Sequence, residues 1–315
     1  IGGTSRVAVE TRGERDNACA YLGECMTGCR HGAVFSALSA IELHRSKGSM
    51  AEEYCGLAER IDIDKKTVTI RREDGSLDRV QYDLVFICAS CVHSVELTMN
   101  SLETEPEAPI SDNLILSFPV FYGGRIPATN KSERFFALTN GKLMLLPHAA
   151  DATPIFIQLY PNPDYFWQYN FPRWSWSMLH GLARSGRNRL FFARAYLSSA
   201  HSQGYRMTKG AGGVELALDR EPDTTSFFSH IWPQLRQTFS AAGFWVPPVP
   251  PLKAKTSSHY SGGFPMAGRW VGKDGALGNG AFLCDSANFP DCSALSHTFT
   301  AMANARRIAR LALLG

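Results

Sequence analysis

The fold is decided by the stretch Ser257-Ser258-His259-Tyr260-Ser261-Gly262-Gly263-Phe264-Pro265-Met266, followed by Phe282-Leu283-Cys284-Asp285-Ser286-Ala287-Asn288-Phe289-Pro290 and by Leu295-Ser296-His297-Thr298-Phe299-Thr300. This order predicts a loop, a buried strand, a turn and the start of a helix. An imidazole takes up a proton near neutral pH, and the N–H groups of a helix N-terminus attract an anion. Two histidines in this setting suit the removal of a proton from an alcohol.

The order and spacing of these segments resemble the closing motif of the glucose-methanol-choline (GMC) family of flavin oxidoreductases. In that family a His-x-x-Gly segment, an Asp-[Ser/Gly/Ala]-Ser-x-[Phe/Leu]-Pro turn and a His or Asn before a Thr-rich helix start come in this order. Ala287 stands where the turn usually has its second small polar residue. The resemblance extends from about Cys19 to Ala309 and corresponds to the middle and C-terminal parts of the family fold.

The resemblance implies roles for the two histidines. In GMC enzymes the first histidine lies beside flavin N5 and the substrate carbinol, and the second position, His or Asn, hydrogen-bonds the same hydroxyl. Carried over to this chain, His259 is the general base and His297 is its partner, although the two roles exchange between family members. The hydride passes to flavin N5.

The same resemblance assigns contacts with FAD to the turn and to the helix start. Asp285 and Ser286 match the turn that contacts the ribityl and pyrophosphate part of FAD. The backbone at Thr298 and Phe299 would face the flavin O2 edge, where a helix N-terminus stabilises negative charge on the reduced ring. Without the motif, Asp285 is equally well explained as an ordinary turn residue.

A second motif is a run of three cysteines, Cys19, Cys25 and Cys29, with the spacing Cys-x5-Cys-x3-Cys. Three close thiols can bind a soft metal. The run resembles a segment of several GMC branches, and in the membrane-linked sugar dehydrogenases three cysteines at this spacing hold a [3Fe-4S] cluster. Arg30 replaces the proline that usually follows the third cysteine. The alternative is that these cysteines are buried packing residues of a loop on the flavin side.

Gly28 and Gly32 belong to the same run, which ends in Gly-x3-Gly-Ala. Glycine lets another backbone or a ligand approach closely, because it has no side chain. We therefore expect these two glycines to lie against the flavin or against the closing helix, whether or not the cysteines hold a cluster.

The sequence has no Gly-x-Gly-x-x-Gly motif, the element that cradles the FAD pyrophosphate at the start of a GMC fold. The glycine-rich run 210–213 lies between two predicted strands of the second domain. The expected partner is therefore a second polypeptide, or an N-terminal segment, that carries the Rossmann phosphate loop. The chain begins with Ile1 and not with methionine, which is consistent with an origin inside a longer gene product.

The pattern of apolar residues predicts an α/β (mixed α+β) fold with two domains. A helix is predicted over 33–45, a β-meander over 56–82, a strand over 84–88 and a helix over 92–102. Beyond Pro109, strands broken by Pro and Gly predict an antiparallel sheet, with helices over 174–184 and over 224–242, the latter interrupted by Pro233. We assign residues 1–108 and 252–315 to a partial FAD-binding domain and residues 109–251 to a substrate-binding domain.

Composition limits the classes of partner. The net charge is +3 with both signs interspersed, and 44% of the residues are hydrophobic, so no basic stripe indicates nucleic acid. No apolar run approaches the roughly 20 residues of a transmembrane helix. Eight cysteines, three of them crowded together, favour a reducing compartment. We expect a cytoplasmic protein, or a periplasmic one if a partner carries it there.

The function that this sequence predicts is oxidation of an alcohol, such as a sugar or sugar-like molecule, with FAD as the hydride acceptor. The alternative is a non-catalytic or degenerate GMC-like subunit that keeps the fold for binding or scaffolding. The substrate pocket of GMC enzymes is built from variable loops, so the sequence leaves the alcohol open. It also leaves open whether oxygen, a quinone or a cytochrome reoxidises the flavin.

Overall fold

A computed structural model describes residues 2–4, 7–23, 25–26, 28–48, 52–102, 107–124, 138–146, 153–161, 172–175, 189–210, 212–225, 227–254 and 257–314. The chain forms two compact units, each assembled from three separate segments. The first unit comprises Ile1–Glu53, Leu116–Ala195 and Thr225–Lys253, and the second comprises Tyr54–Ile115, Tyr196–Thr224 and Ala254–Gly315. The two domains assigned from the sequence stay a prediction, because compactness does not show which segments bind a cofactor or a substrate.

The described strands have between two and nine residues. In chain order they are β1 (Gly2–Thr4), β2 (Leu57–Asp62), β3 (Thr67–Arg71), β4 (Leu77–Gln81), β5 (Val85–Ile87), β6 (Ala108–Ser111), β7 (Leu114–Tyr122), β8 (Gly141–Leu145), β9 (Ile155–Pro161), β10 (Leu190–Leu197), β11 (Gly204–Gly210), β12 (Gly213–Arg220), β13 (Phe244–Trp245), β14 (Leu252–Lys253), β15 (Ser261–Gly262), β16 (Ala276–Gly278) and β17 (Ala281–Leu283).

The described α-helices are α1 (Ala37–Ser46), α2 (Cys91–Ser101), α3 (Trp232–Ala241) and α4 (Thr298–Leu314). Helix α1 begins later than predicted because the side chain of Ser36 caps it, accepting a hydrogen bond from Leu38 N at 3.2 Å. Most of the helix predicted over 174–184 lies outside the described residues. No helix in the described ranges is long and apolar enough to cross a membrane.

The first unit contains most of a seven-stranded sheet in the order β1-β8-β9-β10-β7-β13, with β14 also paired to β7. Every pairing whose register is described in this sheet is antiparallel. The prediction of an antiparallel sheet beyond Pro109 is therefore confirmed. The helix predicted over 224–242 changes type just before Pro233, where a π-helical turn, Phe227–Ile231, passes directly into α3. Pro233 lies in the first turn of α3.

Three smaller sheets lie in the second unit. Strands β2, β3 and β4 form the predicted antiparallel meander, β12-β11-β6-β15 form a second sheet, and β16-β17-β5 form a third. Strand β5 pairs with β17 in parallel, with Leu283 opposite Ile87. A strand, a turn and helix α2 follow one another as predicted, and the core of the unit packs around Val95 and Met99 of α2.

The loop that contains His259 is held against the turn that contains Asp285. Backbone N–H groups of Phe264 and Met266 donate to Ala287 O and Asn288 O at 3.0 and 2.9 Å. Gly263, just before Phe264, has a φ of +106° and lies directly against Val95 of α2, so that a Cβ atom at this position would clash with the valine side chain. Glycine is therefore required both by the backbone conformation and by the packing.

We predict that Gly263→Ala lowers the free energy of unfolding by about 1–3 kcal/mol, through backbone strain and overpacking. Adding Val95→Ala should relieve only the steric part of the loss. Denaturant unfolding of the chain measures both effects. Gly13→Ala is the matched control, because an added Cβ atom there meets no neighbour within 4 Å. Equal stability of the Gly263 and Gly13 variants would contradict the prediction.

Candidate active site

A buried carboxylate, Asp112, organises one side of the candidate site in the second unit. Asp112 is fully buried, and Gln203 Nε2 donates to its Oδ2 at 2.9 Å. The backbone N–H of Ser257 donates to Oδ2 at 3.2 Å, the Ser257 hydroxyl donates to Oδ1, and the N–H of Asn113 also donates to Oδ1 at 2.9 Å. A buried carboxylate needs such donors to replace water. Its position therefore determines where Asn113 and Ser257 lie.

The backbone of His259 is fixed from both sides. Ser257 Oγ, which donates to Asp112, also accepts a hydrogen bond from His259 N at 3.0 Å. Ser258 between them has a φ of +61°, an uncommon conformation for a residue with a side chain. The thiol of Cys292 donates to His259 O at 2.9 Å, and burial raises the pKa of Cys292 to about 12, so the sulfur keeps its proton.

The imidazole of His259 is oriented by the side-chain amide of Asn113. The Nδ2 group of Asn113 donates to Ser293 O at 3.4 Å, so the amide oxygen Oδ1 faces His259 Nδ1 at 3.2 Å. A carbonyl oxygen can only accept, and Nδ1 must therefore carry the proton. In the neutral ring the other nitrogen, Nε2, is then the basic one.

The second histidine lies beside the first. The ring centroids of His259 and His297 are 5.5 Å apart, with the rings nearly perpendicular at 85°. Burial lowers the pKa of His297, and His259 lowers it further when its ring is charged, so His297 is neutral near neutral pH. Its Nδ1 atom is buried and has no hydrogen-bond partner among the described residues. The structure thus brings together the two histidines that the sequence singled out.

Helix α4 begins at Thr298, directly after His297, as the sequence predicted. The N–H of Ala301 donates to His297 O at 2.8 Å and closes the first turn of the helix. The first N–H groups of an α-helix have no partner within the helix, so those of Thr298 and Phe299 lie at an end that attracts negative charge. The side chain of Phe299 is 81% exposed.

Asp285 holds the turn that follows β17. Its Oδ2 accepts a hydrogen bond from Ser94 Oγ at 2.5 Å and its Oδ1 accepts one from Ala287 N at 2.9 Å. Burial raises the pKa of Asp285, while the hydrogen bond from Ser94 and those from backbone N–H groups act in the opposite direction. Ser286 Oγ donates to Tyr260 O at 2.8 Å, which links the turn to the residue after His259. The contacts of Asp285 and Ser286 with FAD stay a prediction.

A chain of amides connects this turn to the closing helix. Asn288 is fully buried, and its Nδ2 donates to Leu283 O at 2.5 Å. Asn304 of α4 donates to Asn288 Oδ1 at 3.1 Å, and Arg307 Nε donates to Asn304 Oδ1 at 3.1 Å. The strand, the turn and the helix that carries His297 at its start are therefore held as one body.

The three cysteines of the predicted [3Fe-4S] site lie in the first unit. Cys19, Cys25 and Cys29 are half-buried, and the described residues contain no group of three His, Cys, Asp or Glu side chains arranged to hold a metal ion. Burial raises the pKa of Cys29, but hydrogen bonds from the backbone N–H groups of residues 31–34 outweigh it and lower the pKa overall. The iron–sulfur prediction therefore finds no support among the described residues.

Gly28 and Gly32 also lie in the first unit. Their φ angles of +112° and +63° are those that favour glycine. A Cβ atom at either position would meet no described atom within 4 Å, so the backbone conformation explains these glycines and close packing does not. Their predicted approach to the flavin remains untested.

Comparison with known proteins shows a similarity of fold to solved structures, without a matching sequence family. No protein-family model matches the sequence, and no curated protein matches it. Pyridoxine 4-oxidase from Mesorbium loti matches the structure with a TM-score of 0.55 and 13% identity over 82% of this chain and 57% of that chain. A mutant formate oxidase from Aspergillus oryzae RIB40, studied for FAD modification, matches with a TM-score of 0.54 and 9% identity over 82% of this chain and 60% of that one.

The chain has a GMC-type fold. The predicted fold class, a mixed α/β fold with antiparallel sheets, is confirmed. At 9–13% identity the likeness concerns the fold alone. The chain spans less than two thirds of the length of these two proteins, so the GMC-type fold is present here in part.

Sequence reasoning missed the residues that position His259. Asp112, Asn113 and Gln203 stood at strand ends and belonged to no recognised motif. The signal that was available is the polar pair Asp112-Asn113 between two apolar strands, β6 and β7. Polar residues that interrupt an apolar run are buried only where hydrogen bonds satisfy them. Such a pair therefore indicates an internal network even when its partners are unknown.

We predict that Asn113→Leu changes the tautomer of His259, because it removes the acceptor that holds the proton on Nδ1. Nitrogen NMR of the imidazole should show Nδ1–H in the wild type and a larger Nε2–H population in the variant. Asn113→Asp is the matched control, since a carboxylate oxygen still accepts from Nδ1. An unchanged tautomer in Asn113→Leu would remove Asn113 from this role.

Proposed function

We propose that this chain forms the histidine-bearing part of an FAD-dependent oxidoreductase that oxidises an alcohol on a small molecule, of the sugar or sugar-like class. The observation that carries the proposal is the hydrogen bond between Asn113 and His259, together with the position of His297 beside His259. A base with a defined tautomer stands beside a second, neutral imidazole at the start of a helix. The GMC-type fold, present in oxidases of small molecules, supports the same reaction class.

In this proposal His259 removes the hydroxyl proton of the substrate. Nδ1 is engaged by Asn113, so proton transfer is assigned to Nε2. The backbone of His259 is held by Ser257 and Cys292, which keeps the ring in one place while the substrate binds. A base fixed in this way needs little reorganisation during the reaction.

His297 acts as the partner that binds the same hydroxyl oxygen. Its lowered pKa keeps the ring neutral, and a neutral imidazole can donate one hydrogen bond without competing for the proton that His259 removes. A positive charge on His297, whose ring centroid lies 5.5 Å from that of His259, would instead make His259 a weaker base. The neutral state of His297 therefore preserves the basicity of its neighbour.

The described residues fit a flavin at this end of the unit. The buried Nδ1 of His297 has no partner among them, and the first N–H groups of α4 are donors without partners in the helix. Such groups suit the polar edge of a flavin ring, and we assign Thr298 and Phe299 to it through their backbone. Asp285 and Ser286 are assigned to the ribityl side. FAD, when bound, supplies the acceptor for the hydride that leaves the carbinol carbon, at its N5 atom.

A second polypeptide or an N-terminal segment is proposed to supply the phosphate loop. Among the described strands, β5 lies at the edge of its sheet, and Phe86 on it is 37% exposed while stacking on Phe282 at 5.5 Å. The closing helix α4 also exposes apolar side chains, with Leu313 at 72% and Leu314 at 81%. An apolar edge strand beside an apolar helix face is the surface that a further strand and helix would cover.

We predict that His259→Ala lowers turnover by about 10²–10⁴-fold in the flavin-containing protein and leaves flavin content unchanged, because it removes the general base. Stopped-flow reduction of the flavin by an alcohol, without oxygen, measures the effect. His230→Ala is the control, since His230 is an exposed histidine of the first unit. Wild-type rates in the His259 variant would exclude His259 from the reaction.

We also predict that the native particle contains FAD together with a polypeptide, or a retained segment, that carries the glycine-rich loop. Flavin affinity depends on backbone donors to the pyrophosphate, and the motif that provides them is absent from this sequence. Native mass spectrometry gives the chain composition, and the absorption spectrum gives the flavin stoichiometry. A stable monomer of this chain binding one FAD would contradict the need for a partner. A native particle without flavin would favour the binding or scaffolding role.

A further inference from the structure

Two cysteines meet at the carboxyl ends of the parallel strands β5 and β17. Cys88 follows Ile87 and Cys284 follows Leu283, the last register pair of the two strands, and Cys284 N donates to Ile87 O at 3.0 Å. The Cys284 thiol donates to Phe282 O at 3.7 Å, and its interaction with Cys88 shifts the pKa of both thiols. Neither residue belongs to the cysteine run of the first unit or to the histidine pair.

The two thiols of this pair differ in exposure. Cys88 is exposed, whereas Cys284 is 1% exposed. A reagent from solution therefore reaches the sulfur of Cys88 and not that of Cys284. The residue that follows β5 on the paired strand, Cys88, is the thiol placed next to the buried sulfur of Cys284.

The interaction between the two thiols also makes them chemically unequal. Hydrogen bonding with Cys284 lowers the pKa of Cys88, although burial and the charge of Asp285 oppose the effect. The same interaction, together with burial, raises the pKa of Cys284. The thiolate is the reactive form of cysteine, so reactivity is concentrated on the exposed member of the pair.

The other cysteines of the second unit lack this combination. Cys91 is buried, donates to Gly262 O at 3.5 Å and has a pKa raised by burial. Cys292 is likewise buried and serves as a donor to His259 O. Cys55 is exposed and forms part of no described thiol pair. Within the described part of the unit, Cys88 is the only exposed cysteine that has a second cysteine beside it on the adjacent strand.

We propose that Cys88 and Cys284 form a reversible redox pair that reacts with low-molecular-weight organic disulfides. The thiolate of Cys88 attacks one sulfur of the reagent, its S–S bond breaks, and one thiolate leaves. Cys284 gives up its proton and attacks the sulfur of Cys88. The mixed disulfide then breaks, the second thiolate leaves and takes the proton, and a Cys88–Cys284 disulfide remains. The protein loses two electrons, and the reagent gains them as two thiols.

Strand geometry permits this bond and keeps it reversible. Neighbouring strands lie about 4.8 Å apart, which falls within the Cα separation of about 4.4–6.8 Å that a disulfide spans. Side chains of paired strand residues point in parallel, so the bond would depart from ideal geometry and be more easily reduced. A pair of this kind responds to the thiol–disulfide balance of its surroundings and does not act as a permanent cross-link.

Treatment of the native protein with oxidised glutathione tests the proposal. Peptide mapping with fragmentation, which separates Cys88 from Cys91 and Cys284 from Cys292, should show a Cys88–Cys284 cross-link without a glutathione adduct in the wild type. Cys284→Ser should trap glutathione on Cys88, and Cys88→Ser should leave Cys284 unmodified. A wild-type protein that keeps the adduct on Cys88, or one in which Cys284 reacts first, would overturn the proposal.

A second comparison separates two effects of Cys284 on Cys88: hydrogen bonding to its sulfur, and attack on the mixed disulfide. Cys284→Ser and Cys284→Ala both lack that thiol, but only serine still donates to Cys88. We expect Cys88 to react several-fold faster at neutral pH in the serine variant than in the alanine variant, because a donor beside the sulfur raises its thiolate fraction. Equal rates in the two variants would show that the pairing does not activate Cys88.

Discussion

The candidate site depends on the requirement that the buried carboxylate of Asp112 be surrounded by donors. A carboxylate without water is stable only where hydrogen bonds replace hydration. Here the donors come from Gln203, Ser257 and Asn113, residues from three distant parts of the chain. Satisfying one charge therefore fixes the entrance to β7, the start of β11 and the loop of His259 in a single arrangement.

The two histidines are positioned by different means, and the difference matches their proposed roles. His259 is held by side chains and by its own backbone contacts, so its tautomer is defined. His297 is placed by the start of α4, which the amides of Asn288 and Asn304 tie to the turn after β17. A base needs one defined protonation state, whereas a hydrogen-bonding partner needs chiefly a fixed location beside an electropositive helix end.

Local patterns in the sequence predicted what depends on local physics. The meander of β2 to β4, the step from β5 through a turn to α2, and the start of α4 after His297 all follow from the spacing of apolar and turn residues. These elements form largely from contacts between near neighbours.

The parts that the sequence did not predict depend on partners far along the chain. Asn113 and His259 are 146 positions apart, and Cys88 meets Cys284 only because β5 and β17 pair in parallel. The cluster prediction for the cysteine run finds no support among the described residues. Spacing along the chain does not show whether three sulfurs converge on one point.

The division of each compact unit into three segments has a consequence for synthesis, because the chain passes from one unit to the other five times. The second unit cannot close before its last segment, Ala254–Gly315, has left the ribosome. Contacts between distant residues also slow folding. Until then β5 lacks its partner strand β17, and Asp112 lacks the donors of Ser257. A nascent chain in this state exposes unpaired groups, and chaperones bind chains of this kind.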